Sequence, residues 1–466
     1  MKHLTCSVML SGLVFPGVLQ ADEARTPSHP STQLRLSAEA ADLLGSDPWF
    51  EEGRYVFSQL VFGVGGVVEL GSHLSVDVGA RAGVSTGVFP VWSSSSEVLA
   101  PLSGARGDVQ LDRASVGFEQ LLQGQASITL GRQDVVLGSG LLVADGYRSN
   151  WETPMWDHTV PLEDTLPPDE ESISAASLFL GGLNYWDGAS VALDLDAWGA
   201  GGDLLIARAS PGTVSNADID QQAADAPTVV AADGHVAARD GEVGLTLLGT
   251  FLAEGFEFSS AARAELPVGE NVGIQAELAA QLGREGETPL LANAMWVGAS
   301  WQDDLREKSP AVGVFFHHFS GDKADTEDRD EAWRGRFYHG DGFIPGQVAG
   351  PAWLPQSDLD WFTLTGQVAP SSGHTLGVTL FTILAGRGST LCQELSPGSN
   401  CISAPPAVAH TPIAEEVDLA WSVAPRALRG TTLGARGGLV MALPGGVDLL
   451  PTGRSWSLGL HASFMR

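Results

Sequence analysis

Polar and apolar residues alternate along most of this chain with a period of two. In SVDVGARAGVS (75–85), Val76, Val78, Ala80, Ala82 and Val84 share one face, and Asp77, Arg81 and Ser85 the other. In VGIQAELAAQLG (272–283), Ile274, Ala276, Leu278, Ala280 and Leu282 oppose Gln275, Glu277 and Gln281. EVDLAWSV (416–423) sets Val417, Leu419, Trp421 and Val423 against Glu416, Asp418 and Ser422. The pattern persists to SWSLGLHASF (455–464). Such alternation is the signature of strands with one apolar face. Many of these strands run to ten residues or more. That is longer than the five or six usual in soluble sheets and matches the 9–11 tilted residues that cross a bilayer.

Tight turn signals stand at Gly71-Ser72, Gln123-Gly124, Trp186-Asp187-Gly188 and 370–373. Between them lie long stretches rich in Gly, Pro, Ser and acids, at about 88–110, 138–172, 321–357 and 386–411. Short turns on one side and long loops on the other are the pattern of bacterial outer-membrane barrels. The fold class predicted is therefore all-β, a transmembrane antiparallel barrel of about eighteen strands, with sixteen as the alternative. The acidic stretch 210–240 falls on the short-turn side in this count, as a periplasmic insertion or a misdivided strand. No blade-like repeat or short solenoid period occurs.

The start of the chain, MKHLTCSVMLSGLVFPGVLQA, has a basic residue, an apolar core from Leu4 to Leu19 and a small-residue end. It reads as a secretory signal over 1–21, leaving 22–466 as the barrel. Cys392 and Cys401 then belong to an exported chain, where they are expected to form a disulfide closing a short loop. Such a closure is worth roughly 2–3 kcal/mol in the chain-entropy model. Only 17% of residues are charged, yet the formal net charge is −31. So acidic a chain does not suit nucleic-acid binding.

On alternation the inward candidates are Asp77, Arg81, Arg113, Glu119, Asp194, Asp196, Glu277, Glu416, Asp418 and Arg436. They lean acidic, which favours cations over polyanions in a pore. His318-x-Ser320 has the spacing of a base and nucleophile on one strand face, as in outer-membrane phospholipase A. The alternative is an interfacial aromatic band with Phe315, Phe316 and Phe319. Asp322, Asp325, Asp328, Asp330 and Glu331 form an oxygen-rich run that suggests calcium only weakly, since the twelve-residue calcium-loop pattern is missing and Lys323, Arg329, Arg334 and Arg336 are interleaved. Trp156, Trp186, Trp198, Trp296, Trp301 and Trp361 fall near expected strand ends, as an interfacial girdle or as stacking platforms for sugars. No cofactor is expected.

GRQDVVLGSGLLVADGYRSN (131–150), HHFSGDKADTEDRD (317–330) and the stretch 414–445 together resemble the alginate-export family of outer-membrane porins, with Gly131, Arg132, Gln133, Gly321 and Asp322 at the motif positions. The resemblance implies a monomeric eighteen-stranded barrel in outer-membrane lipid, with a hydrophilic pore for a small solute or saccharide. In that family the pore is basic and conducts a polyuronate. The acid-leaning set here departs from it. A barrel lipid hydrolase and a nonconducting surface barrel are the rival readings. The loop with Arg148, Asn150 and Trp151 is placed to fold inward as a constriction.

Overall fold

In a computed structural model the chain is one antiparallel sheet of eighteen strands closed on itself. The structure describes residues 31–46, 54–88, 105–143, 184–195, 198–211, 227–238, 241–252, 255–269, 271–303, 310–321, 329–331, 333, 359–371, 373–385, 411–425, 430–444 and 454–465. The signal segment 1–21, the cysteine pair 392 and 401, Asp196, Trp156 and the acids 322, 325 and 328 lie outside them, as do residues 148, 150 and 151.

The strands are β1 (Ser31–Ser46), β2 (Arg54–Glu69), β3 (Leu74–Val88), β4 (Ala105–Gln120), β5 (Ala126–Gln133), β6 (Asn184–Leu195), β7 (Ala200–Pro211), β8 (Thr228–Ala238) and β9 (Gly241–Leu252). They continue as β10 (Gly255–Val268), β11 (Val272–Glu285), β12 (Thr288–Gln302), β13 (Ala311–Phe319), β14 (Leu359–Ser371), β15 (His374–Ala385), β16 (Pro412–Val423), β17 (Thr431–Ala442) and β18 (Arg454–Met465). Each pairs with its sequence neighbours. Closure comes from β1 against β18, in register from Ser37 opposite Met465 to Gly45 opposite Ser457. A closed sheet leaves no unpaired edge, which is the requirement for backbone surrounded by hydrocarbon.

Alternation fixes which face looks out. Val78, Val84, Leu278, Leu282, Leu419, Leu458 and Leu460 are exposed on the outer wall. Their strand neighbours Gln275, Glu277, Gln281, Glu416, Asp418, Ser455 and Ser457 are buried inside. This arrangement inverts a soluble core, and an apolar solvent around the barrel is what stabilises it.

The long connections 89–104, 134–183, 320–358 and 386–411 all leave from one end of the barrel. The turns at 70–73, 121–125, 269–271 and 372–373 are at the other. Two expectations need correction. Trp186-Asp187-Gly188 is not a turn but part of β6, where Trp186 pairs with Gln133 and Asp187 with Arg132. Gly188 serves close approach of strands there. The stretch 210–240 is not a short-turn-side insertion. Residues 212–227 connect β7 to β8 at the long-loop end, and 228–238 is β8 itself. Ala-rich TVVAADGHVAA carries apolar residues on both faces, so it gave no clean alternation.

The outer face predicts a clear asymmetry. Leu278 stands in mid-strand on β11 and is 61% exposed. Leu278→Arg is expected to lower folding stability by about 2–4 kcal/mol, because the charge enters the hydrocarbon. Denaturant unfolding of the barrel refolded into lipid vesicles measures it.

Candidate functional site: the barrel interior

The interior has two tiers. Toward the short-turn end is a cavity of about 1310 Å³. Its lining includes seven carboxylates, Glu69, Asp77, Glu119, Asp134, Asp194, Asp203 and Glu242, against Arg35, Arg113 and His235. The guanidinium groups are already engaged. Arg35 reaches Asp77 at 3.1 Å; Arg113 reaches Asp77 at 3.4 Å and Asp134 at 2.6 Å. Glu119 accepts from Ser75 Oγ at 3.2 Å.

Four of the ten inward candidates, Asp77, Arg113, Glu119 and Asp194, line this cavity. Glu277, Glu416 and Asp418 are buried on the inner face elsewhere. Arg436 has inward register, since Leu439 and Met441, of opposite parity on β17, are exposed outside. Arg81 is in β3, but its side chain lies outside what is described, as does Asp196.

A second polar group borders the cavity on β8–β10. Arg263 holds Asp233 through two bonds, 2.5 and 2.9 Å, and Glu242 at 3.3 Å. Thr246 Oγ1 donates to Asp233 at 2.6 Å. Glu242, Glu265 and Gln275 then stand side by side across β9, β10 and β11. Like charges on adjacent strands repel, so Arg263 beside Glu242 offsets part of a locally negative wall.

Toward the long-loop end, among the described residues, apolar side chains crowd the interior. Residues 134–143 leave β5 and turn inward, closed by a bridge between Leu137 and Val143. Leu137, Leu141, Leu142 and Val143 are buried in one cluster with Trp186, Leu205, Val229, Ala231 and Leu248. At the tip, Ser139 Oγ donates to Glu277 Oε2 at 2.5 Å. Glu277 also accepts from Trp296 Nε1 at 2.8 Å. The expectation of an inward-folding loop named residues 148, 150 and 151, which lie outside the described residues; among the described ones, Gly138 and Ser139 make the inward contact. Their signal was present in the partner strands. Leu204-Leu205-Ile206, Val229-Val230-Ala231 and Leu247-Leu248 are apolar on both faces, which a water-lined wall does not need.

A second segment, after β13, comes back alongside the first residues of β12. Asp330 bridges Leu290, accepting from Leu291 N and donating to the Pro289 carbonyl, both at 2.8 Å. Trp333 is buried against Phe319. Glu331 pairs with Arg329 at 3.0 Å. These described members of the acidic run are tied by backbone pairing and a guanidinium rather than grouped as ligands. Among the described residues no His, Cys, Asp and Glu cluster suits a metal.

The tryptophans divide. Trp198 and Trp301 are exposed, as a girdle requires. Trp186, Trp296 and Trp361 are instead inside the barrel and at most 5% exposed. They are neither girdle residues nor open platforms for sugars. Trp296, His317, Trp361 and Phe319 form a continuous stack, with centroid separations of 6.3, 4.8 and 5.2 Å. Position near a strand end could not tell inward from outward parity.

Arg132 of the Gly-Arg-Gln motif faces the outer wall with Leu130. It grips Asp187 through two bonds, 2.8 and 2.7 Å, and donates to the Leu111 carbonyl at 2.9 Å. It ties three strands together near the long-loop rim. Gln133 is buried inside and accepts from Ser190 Oγ at 2.6 Å. Gly131 has φ +115°, which suits glycine. Gly321 is buried beside Ser320.

His318 has outward parity and meets Asp360 at 2.5 Å. Ser320 Oγ donates to the Glu331 carbonyl at 2.8 Å and accepts from Asn293 N at 2.9 Å. No hydrogen bond joins His318 to Ser320 among the described residues, so the serine anchors the returning segment and is not paired to the histidine as a nucleophile.

Arg263 is the counter-charge of a carboxylate that is almost fully buried. Arg263→Met is expected to destabilise the barrel by about 3–5 kcal/mol, because Asp233 is left uncompensated. Adding Asp233→Asn to that variant should recover part of the loss. Unfolding midpoints of the two variants and the parent provide the check.

No known family profile matches the chain, and no curated protein does. Solved structures do resemble it in fold. OpdQ of Pseudomonas aeruginosa is 9% identical, with a TM-score of 0.54, over 93% of this chain and 98% of that one. OccK9 (OpdG) of the same organism is 8% identical, with a TM-score of 0.54 and the same coverage. OccD3 (OpdP), also from that organism, is 9% identical, with a TM-score of 0.53, over 93% of this chain and 91% of that one. The shared feature is the barrel over nearly the full length of each chain.

Proposed function

We propose that this protein is an outer-membrane channel for passive passage of small hydrophilic solutes or saccharides, with a mild preference for cations. The observation that carries the reading is the carboxylate-lined cavity inside a barrel whose outer wall is apolar. The solved structures of similar fold are outer-membrane porins, which supports both the location and the activity class. Because β1 closes on β18 within one chain, a monomer suffices as the working unit.

The alginate-export resemblance rests on the stretches at 131–150, 317–330 and 414–445. We retain it as a reading of ancestry and not of cargo. A polyuronate would have to pass Glu69, Asp77, Glu119, Asp194 and Asp203 with few guanidinium groups left to receive it. Coulomb repulsion in a narrow, partly desolvated lumen disfavours that. Catalysis is not part of the proposal, since Ser320 Oγ is bonded to a backbone carbonyl.

Planar-bilayer recording across a salt gradient tests the reading. The reversal potential should have the sign of cation over anion permeability. Replacing Glu119 and Asp194 by Gln and Asn should lower the permeability ratio about twofold in low salt, with a smaller change in high salt as screening takes over. Clear anion selectivity, or an absence of conductance from folded barrels, would overturn the proposal.

A further inference from the structure

Loop 134–143 enters the barrel after β5 and ends against strands several positions away around the wall. Its tip is a Gly-Ser-Gly sequence. Gly138 has φ +62°, and a β-carbon there would lie 2.5 Å from Thr246 Oγ1 and 2.7 Å from Arg263 Nη1. The backbone therefore sits directly on the Asp233–Arg263–Thr246 group. Beside it, Ser139 Oγ meets Glu277, a carboxylate that is 1% exposed. The hydrophobic cluster explains why the loop enters the barrel. It does not explain why a carboxylate is buried at the point the tip reaches. Removing an ion from water is costly unless its bonds serve something.

We propose that Glu277 is the residue that positions the in-folded loop and so sets the free cross-section of the barrel. It presents one oxygen to two donors, Ser139 Oγ on the loop and Trp296 Nε1 on β12. Trp296 is held in turn by its stack with His317. The carboxylate thus joins a serine hydroxyl on the loop to an indole in the wall. Glu277 acts by hydrogen-bond acceptance from the loop and the wall, and touches solute only indirectly. The role in setting the cross-section rests on the channel reading; the role in holding the loop does not.

The experiment reads the two roles separately. Leu141, which belongs to the loop and is 2% exposed, becomes a reporter as Leu141→Cys in a chain whose Cys6, Cys392 and Cys401 are replaced by serine. Labelling by a charged, membrane-impermeant maleimide is timed in refolded barrels, with heat-modifiable gel migration as the control for folding. Glu277→Ala should speed labelling roughly tenfold or more, the scale of losing an acceptor shared by two buried donors. Glu277→Gln keeps an acceptor oxygen and should label close to the parent rate. Unchanged labelling in folded Glu277→Ala overturns the proposal. Equal acceleration in Glu277→Gln overturns hydrogen-bond acceptance as its cause. Single-channel conductance of the same variants is the second readout. It should rise and become noisier in Glu277→Ala alone. Faster labelling with conducting barrels of unchanged conductance would keep the latch and remove its role in setting the cross-section. Faster labelling with no conductance even in the parent would instead remove the channel reading.

Discussion

Closure of the sheet is the constraint on which the rest depends. A backbone surrounded by hydrocarbon must pair every N–H and C=O within itself, and an antiparallel sheet does so only when its first and last strands meet. The β1–β18 ladder supplies that pairing. Once the ring is closed, the period of two has one consequence at each position. Leucines and valines go to the wall outside, and the acids and amides between them have no other place than the interior. The acidity of the lumen follows from the same alternation that makes the outer wall apolar.

Within the interior, arginine placement decides how much negative charge stays uncompensated. Arg113 is shared by Asp77 and Asp134, and Arg263 by Asp233 and Glu242. Each of these two guanidiniums thus serves two carboxylates, and the cavity lining as a whole carries seven carboxylates against Arg35, Arg113 and His235. The pairing of strands also forces Glu242 opposite Glu265. A field of this sign is a property of register as much as of composition, because a slip of one residue would send the same acids into lipid.

Much of this was legible in the sequence. Asp77, Glu277 and Asp418 could be assigned to the interior because each lies between aliphatic residues of uniform parity, and Glu416 because it shares parity with Asp418. About eighteen strands, with sixteen left open, and one end of long loops followed from spacing. The failures have physical causes. Trp186-Asp187-Gly188 has turn composition, yet Arg132 across the ladder holds Asp187 in a strand. Trp186, Trp296 and Trp361 look like interface residues until register shows their parity. The Ser139–Glu277 bond joins residues 138 apart, and no local pattern encodes a contact made across a lumen.

The two-faced apolar runs on β7, β8 and β9 show how the in-folded loop is nevertheless written into the chain. A strand facing lipid on one side and water on the other should alternate. Where it does not, something apolar must lie inside. Leu205, Val229 and Leu248 are buried in one apolar cluster with Leu137, Leu141, Leu142 and Val143 of the loop. Burial of that cluster is non-directional and would tolerate the loop at several heights. The direction is supplied by polar contacts at the tip: a glycine seated on the Asp233–Arg263–Thr246 group and a serine bonded to Glu277. Apolar contacts thus bring the loop into the barrel. The few hydrogen bonds decide where it stops, and with it how much of the polar cavity beneath remains open.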